Sequence, residues 1–386
     1  MSRARDTLSN DAELLLCFQV LDSPTLPART LAAGAKRDPG ELDRLSTRHD
    51  QAPAGVVRLD EDLFGWRPDV PALHRPWTEP ARLVTRRLGE DLLTTLDAAC
   101  DRLGRPVTGF AYPVNTPFLP PMRFSDAPQA TSWVRRHLSL TLATVRAGGT
   151  ARLRSLATAL TARLWACAPT DAPRHWAVDL VEAGTRAAID DRQPHTLAGL
   201  LRLSARWFAT QGDFVTAEAH GVREWVVWKE LDDTTGMIDT LWRRAVIYRQ
   251  AGRGNRELDC YQRLLSLYRH TGDRFGLARA QTARGVTLAA TGRARDAAEQ
   301  LRDAARLVED PDDLPGVPPV ELAGLLETMG RACWSIGATG TARRHFSDAL
   351  RLLVDVDEQV AHRIRTLLAT PENHPLPGNA SRSVPP

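Results

Sequence analysis

The sequence predicts an all-α protein whose larger part is a superhelix of antiparallel helix pairs. Two observations predict this fold class. A turn glycine recurs along the C-terminal half at steps of 40, 40 and 45 residues, at Gly212, Gly252, Gly292 and Gly337. The residues seven positions before these glycines are all small, namely Ala205, Ala245, Gly285 and Gly330. Small residues let two helices approach closely and a glycine permits a tight turn, so each repeat is expected to be one helix pair.

The composition is that of a globular protein without a phosphate-binding loop. The chain has 386 residues, 43% of them hydrophobic, and a formal net charge of +3. Only two of the 50 basic residues are lysines, Lys36 and Lys229, and neither follows a glycine-rich loop. The phosphate-binding lysine of a Walker A loop is therefore missing, which excludes nucleotide hydrolysis by that route.

The sequence predicts no cofactor and no metal site. Its histidines are dispersed, and its five cysteines stand singly, at positions 17, 100, 167, 260 and 333. An odd number of cysteines without close spacing favours buried thiols in a reducing compartment over disulfides or zinc ligands. The apolar run at 14–20 lacks a basic flank, and no run is long enough to span a bilayer, so we expect a soluble, cytoplasmic protein with no membrane partner.

The chain divides into four predicted segments. Residues 1–70 are expected to be helical, 71–148 to hold a long helix and a proline-rich strap, 149–371 to form the repeat array, and 372–386 to be a disordered tail. Within the first segment we expect helices at 12–21, 27–35 and 38–49, followed by a wing at 55–64. In the second, the helix covers 78–103, and the strap covers 110–125 with Phe110, Tyr112, Phe118 and Phe124 packed on helices. Asp126 is expected to cap the helix that carries Trp133, and a helix pair is expected from Leu153 to Ile189.

Residues 195–368 resemble the tetratricopeptide repeat. The resemblance depends on the small residues before each turn glycine and on the large ones nine positions after it, such as Tyr261 and Phe346. Glu257 and Gly221 depart from the family pattern, which has alanine and an aromatic residue there. The order of long helix, strap and repeats also resembles the C-terminal sensor half of bacterial signal-transduction NTPase regulators of the antibiotic-regulatory-protein type, without their nucleotide-binding domain. That resemblance implies that 11–66 correspond to a winged helix.

The register of the repeats predicts a partner-binding face. If the first helix of each pair lines a groove, its outward positions include Arg202, Arg206, Trp242, Arg249, Arg279, Arg331 and Trp334, together with Asp239 and Glu327. Arginine offers two parallel donors to a carboxylate, so such a groove suits a protein or peptide that is acidic or carries carboxylates. The same pattern is also consistent with solvated arginines that bind nothing. On the binding hypothesis, Arg249→Ala weakens binding without affecting folding, and Arg302 lies on the opposite side.

The favoured function is a non-catalytic protein- or peptide-binding scaffold that acts as a regulator or sensor. The alternative is a transcription regulator that binds DNA through the N-terminal segment. Nucleic acid is the less favoured partner because the charges of the expected third helix, 39–49, sum to zero. No catalytic motif is present, so an enzyme is the least favoured class.

Overall fold

The computed structural model describes residues 10–23, 25–38, 42, 56–60, 63–66, 79–114, 118–310, 314–353 and 356–369. The chain divides into two compact units, the first ending at Leu231 and the second beginning at Asp232. The described part of each unit is built of helices that pack on their neighbours in the chain, which confirms the all-α helical-repeat class.

The described residues at the start of the first unit form two helices and a small sheet. These elements are α1 (Asn10–Val20), β1 (Thr25–Pro27), α2 (Ala28–Ala35), β2 (Val56–Asp60) and β3 (Leu63–Trp66). β2 and β3 form an antiparallel hairpin where the wing was expected, and β1, which the sequence did not predict, pairs with the other edge of β3. The expected third helix at 38–49 lies outside the described residues except at its start and at Leu42.

A shared core fixes this opening segment onto the long helix α3 (Glu79–Arg102). Leu14, Phe18 and Leu31 are buried in one cluster with Val84 and Leu88 of α3. An ion pair of 2.6 Å between Arg29 and the buried Asp91 reinforces the contact. Burial raises the pKa of Asp91, although Arg29 opposes that shift. The N-terminal helices are therefore part of the core of the first unit.

The described part of the strap has no regular structure, as predicted. Phe110 and Phe124 are buried, whereas Phe118 is 45% exposed, so the expectation that all four aromatic residues pack was wrong. Asp126 caps the next helix by accepting a 2.7 Å hydrogen bond from the backbone N–H of Gln129. That helix is interrupted at His137, which gives α4 (Ala127–Arg136) and α5 (Leu138–Thr150) in place of one continuous helix.

Two helix pairs complete the first unit. They are α6 (Arg154–Cys167) with α7 (Arg174–Asp190), and α8 (Pro194–Thr210) with α9 (Phe214–Glu230). Trp165 and Trp176 are buried between the helices of the first of these pairs, as their spacing predicted. Their rings lie 6.1 Å apart.

The described residues of the second unit form three helix pairs and a further helix. The pairs are α10 (Thr234–Gln250) with α11 (Gly254–Thr271), α12 (Arg274–Ala290) with α13 (Ala294–Leu307), and α14 (Pro319–Ser335) with α15 (Thr339–Leu352). The further helix, α16 (Glu358–Ala369), packs on α15. No strand occurs among the described residues from 154 onward, and the predicted tail at 372–386 lies outside them.

The turn glycines behave as the repeat pattern required. Gly212, Gly252, Gly292 and Gly337 join the helices of four pairs, with φ of +74°, +68°, +79° and +81°. A side chain with a Cβ rarely adopts this left-handed backbone, which explains why glycine recurs at this place in each repeat.

Candidate partner-binding site

The seven residues predicted to bind a partner occupy three kinds of surroundings. Arg202 and Arg206 are exposed on α8 of the first unit, one helical turn apart, and neither forms an ion pair with a described residue. The other five lie in the second unit. Arg279 is exposed. Arg249, Trp242 and Trp334 contact neighbouring helices, and Arg331 pairs with a carboxylate on its own helix.

Arg249 is exposed, but it is bound to a buried polar cluster and is not a free groove residue. Its Nε donates a 2.7 Å hydrogen bond to Oε1 of Glu257, whose side chain is 4% exposed. The same oxygen accepts hydrogen bonds from the Tyr261 hydroxyl at 3.0 Å and from Thr287 at 2.9 Å. Burial raises the pKa of Tyr261, which keeps the phenol protonated as a donor. The prediction that its removal leaves folding unaffected assumed a solvated arginine without contacts, and that assumption was wrong, because Arg249 compensates a buried carboxylate.

A second buried carboxylate holds Arg331. Glu327 was predicted to face outward, but its side chain is only 8% exposed, so that placement was wrong. It accepts hydrogen bonds from Arg331 on its own helix at 3.0 Å and from Arg363 of α16 at 2.7 Å. The ion pair with Glu327 raises the pKa of Arg363. Trp334, near the end of α14, packs its ring 5.2 Å from that of Phe346. These residues join α14 to its neighbours.

Trp242 and Arg279 come together as a pair on successive first helices. The guanidinium carbon of Arg279 lies 5.4 Å from the centre of the Trp242 ring and 5.9 Å from that of Phe275. Trp242 itself is half-buried, since its Nε1 donates a 2.9 Å hydrogen bond to Tyr268 and its ring lies 5.6 Å from that of Tyr261. The interpretation of Trp242 as pointing away from the core was therefore wrong in part. One side of its ring packs on α11, and Arg279 lies over the ring.

The Trp242–Arg279 pair combines a cation with an aromatic ring. Arg279 is exposed and forms no ion pair with a described residue, so its donors are available to a carboxylate. Contact with an aromatic ring restricts an arginine without neutralising its charge. Asp239, three residues before Trp242, is also exposed and is the nearby carboxylate on α10.

A cleft between α13 and α15 was missed by the sequence prediction. It has a volume of 790 Å³, and its walls carry Arg302, Arg306, Arg344 and Arg351. Arg302, expected to lie away from any binding face, is one of its lining residues. The signal was present in the sequence as the longer step of 45 residues, because the proline-containing insertion that causes it separates α13 from α14.

One serine–histidine pair in the first unit has the composition of a hydrolase dyad but is a packing element. Ser204 Oγ lies 3.0 Å from Nδ1 of His220 and donates a hydrogen bond to the carbonyl of Leu201 at 2.9 Å. Both side chains are buried, and the imidazole packs against Phe208. Burial lowers the pKa of His220 to about 4. A nucleophile needs access to substrate, which this pair lacks.

Metal-ligating groups and membrane-spanning helices were also sought among the described residues. That part of the chain contains no cluster of three side chains suited to hold a metal ion. None of its helices combines the length and apolarity that a bilayer crossing requires.

Comparison with known proteins finds similarity among solved structures. No protein-family model and no curated protein matches the chain. Among solved structures, the crystal structure of BtubC (BKLC) from P. vanneervenii matches 64% of this chain and 95% of its own, with a TM-score of 0.39 and 16% sequence identity. A similarity at this level supports neither a family assignment nor a function.

Proposed function

We propose that this protein is a non-catalytic scaffold of tetratricopeptide type that binds an extended acidic peptide of a partner protein and acts as a regulator or sensor. The single observation that carries the proposal is the position of Arg279 over Trp242. It offers a positively charged group without an ion-pair partner among the described residues, held next to an aromatic ring. The recurrence of helix pairs with glycine turns supports the tetratricopeptide type.

The pair suits recognition of a carboxylate beside an apolar group. The guanidinium provides hydrogen bonds to the carboxylate, and the exposed part of the half-buried Trp242 ring provides an apolar surface for an adjacent side chain. Phe275 extends this surface on α12.

The test is a selection of extended peptides. A displayed library of unstructured peptides is selected on the full-length chain, and the affinities of the enriched peptides are measured by fluorescence anisotropy. Arg279→Ala is expected to weaken binding by about 1.5–3 kcal/mol, the range for a hydrogen bond to a charged group. The matched control is Arg295→Ala, which removes another exposed arginine of the second unit that forms no ion pair with a described residue. Equal affinities for the two variants, or no enriched peptide, would contradict the proposal.

A second candidate function is DNA binding by the N-terminal segment. The observation that favours it is the three-stranded sheet of order β1–β3–β2 beside α1 and α2, which agrees with the winged-helix resemblance. The packing of α1 and α2 weighs against DNA binding, because both helices bury apolar side chains on α3. Retention of a promoter fragment by the full-length chain that falls steeply with salt would favour this candidate, because phosphate contacts release counterions. Salt-independent or absent retention would reject it.

A further inference from the structure

The helix pairs α12–α13 and α14–α15 leave a trough between their second helices. The first helices, α12 and α14, pack on each other, and each second helix packs along its own first helix. The chain between α13 and α14 is longer than the turns elsewhere in the second unit, and α13 makes little contact with α14. The resulting cleft of 790 Å³ lies between α13 and α15. We call it the α13–α15 cleft.

Apolar side chains form the floor of this cleft. They come from all three of the surrounding helices and from the residues that follow α14. Leu301 of α13, Leu322 and Leu326 of α14 and Ile336 are among them. Ile336 is half-buried, and the three leucines also belong to the core of the second unit. An occupant with an apolar face would therefore extend an existing core.

The walls of the α13–α15 cleft are positively charged. Four arginines line it against two carboxylates, those of Glu309 and Asp348. Arg306 pairs with Asp303 at 3.2 Å, and Arg351 pairs with Asp348, in each case within one helix.

The remaining two arginines are available to an occupant. Arg302 on α13 and Arg344 on α15 are exposed, and neither forms an ion pair or hydrogen bond with a described residue. His345, also in the wall, is buried, and burial lowers its pKa, so the positive charge of the walls comes from arginine.

From this geometry we propose that the α13–α15 cleft binds an acidic amphipathic helix of a partner protein. This site is separate from the Trp242–Arg279 pair. The lining residues run from Ala298 of α13 to Val308, just past the end of that helix, and from Thr341 to Leu352 of α15, a length of about 15 Å or three helical turns. A helix fills a trough between two helices, with its apolar side on the floor. Carboxylates on its two flanks then meet Arg302 on one wall and Arg344 on the other.

The C-terminal residues of this chain do not have the chemistry of such an occupant. Residues 370–386 contain a single carboxylate side chain, that of Glu372, balanced by Arg382, and prolines recur throughout them. Proline disrupts helix interiors, and a neutral segment does not complement two free arginines. The occupant is therefore assigned to another protein.

The experiment uses a displayed library of three-turn helical peptides with randomised surface positions, selected on the full-length chain. The peptides that bind are expected to combine an apolar stripe with Asp or Glu on both flanks. Their affinity is then measured on a double variant of the cleft, Arg302→Glu with Arg344→Glu, and is expected to fall about tenfold or more by charge repulsion. The matched control is Arg295→Glu with Arg343→Glu, which changes exposed arginines of the same two helices that do not line the cleft. Circular dichroism checks that both double variants remain folded.

Two further measurements identify the occupant and distinguish the α13–α15 cleft from the Trp242–Arg279 pair. Arg279→Ala is expected to leave the affinity of the selected helices unchanged, so failure of one proposal does not imply failure of the other. A synthetic peptide of residues 370–386 and a duplex oligonucleotide serve as competitors. The proposal is overturned if no helix is enriched, if the enriched helices are not acidic, or if the two double variants bind equally. It is also overturned if either competitor occupies the cleft in preference to the selected helices.

Discussion

Arg249 and Glu257 form a 2.7 Å ion pair at the point where α10, α11 and α12 meet. Glu257 stands five residues after its turn glycine, where the other repeats of this chain have Ala217, Ala297 and Ala342, and the structure gives the reason for the difference. Its carboxylate is buried and accepts hydrogen bonds from the side chains of three residues, Arg249, Tyr261 and Thr287. A polar cluster takes the place of close alanine packing there.

We expect Arg249→Ala to lower the free energy of unfolding by about 2–3 kcal/mol. The change leaves the Glu257 carboxylate buried without its cation, which costs more than the loss of a solvated arginine. The figure is below the range for fully buried pairs because the Arg249 side chain is 38% exposed. The measurement is urea unfolding followed by circular dichroism.

The double variant Arg249→Ala with Glu257→Gln tests the assignment. It removes the buried charge together with its partner and should lose less stability than Arg249→Ala alone. If the double variant is less stable than the single one by the full cost of Glu257→Gln, the two residues are not coupled.

Replacing a turn glycine and replacing a helix glycine by alanine should change the stability in opposite directions. At Gly252, φ is +68°, so Gly252→Ala should destabilise the protein by about 1 kcal/mol through backbone strain. Gly324 lies inside α14, where an added Cβ meets no atom within 4 Å. Gly324→Ala should stabilise the protein by up to about 1 kcal/mol, since alanine favours the helix. Thermal unfolding of both variants checks the signs, and a loss of stability at both positions would contradict the explanation.

These cases show how far the sequence could predict the structure. The helix pairs were predictable because the glycine turns and the small residues at fixed distances are local signals that repeat. β1 was not predictable, because Thr25–Pro27 is three residues long, ends in proline and exists as a strand only by pairing with β3. The break between α4 and α5 at His137 was missed because no glycine or proline marks it in the sequence.

The candidate site was less predictable than the fold. The repeat register placed Trp242 and Arg279 on successive first helices, and the structure brings them together. The same register could not show that Arg249 and Arg331 find buried carboxylates, because a pairing partner on the same or another helix is a property of the folded unit. The α13–α15 cleft depends on the separation of α13 from α14, which the length of the insertion suggests but does not determine.

The free energy of unfolding should decrease as the pH is lowered below about 6.5, in part because of His220. Its ordinary pKa is near 6.5, and burial lowers the pKa in the folded protein to about 4. Between these values the unfolded chain binds a proton that the folded chain does not, so protons favour unfolding. By pH 4 the contribution of His220 amounts to about 3 kcal/mol. Burial also lowers the pKa values of His137 and His345, which act in the same direction.

The measurement is the free energy of unfolding from pH 7.5 to 4 for the native sequence and for His220→Gln. The variant should start less stable at pH 7.5 because it disturbs a buried contact with Ser204, but its stability should fall less steeply. His270→Gln, at an exposed position of α11, is the matched control and should keep the native slope. An unchanged slope for His220→Gln would mean that folding does not lower the pKa of this histidine.

The five cysteines should be nearly unreactive in the folded protein and fully reactive in the unfolded chain. All five are buried and free. Burial raises the pKa of Cys260 and of Cys333 to about 11, and it contributes to the raised pKa values of Cys17 and Cys167. The thiolate is the reactive form, so at pH 8 we expect a colorimetric disulfide reagent to react at least about a hundredfold more slowly before denaturation than after. Ser347→Cys, which adds a thiol at an exposed position of α15, is the control and should give one rapidly reacting group per chain. A rapidly reacting thiol in the native sequence would mean that a buried cysteine opens to solvent, and mass spectrometry of the labelled chain would locate it.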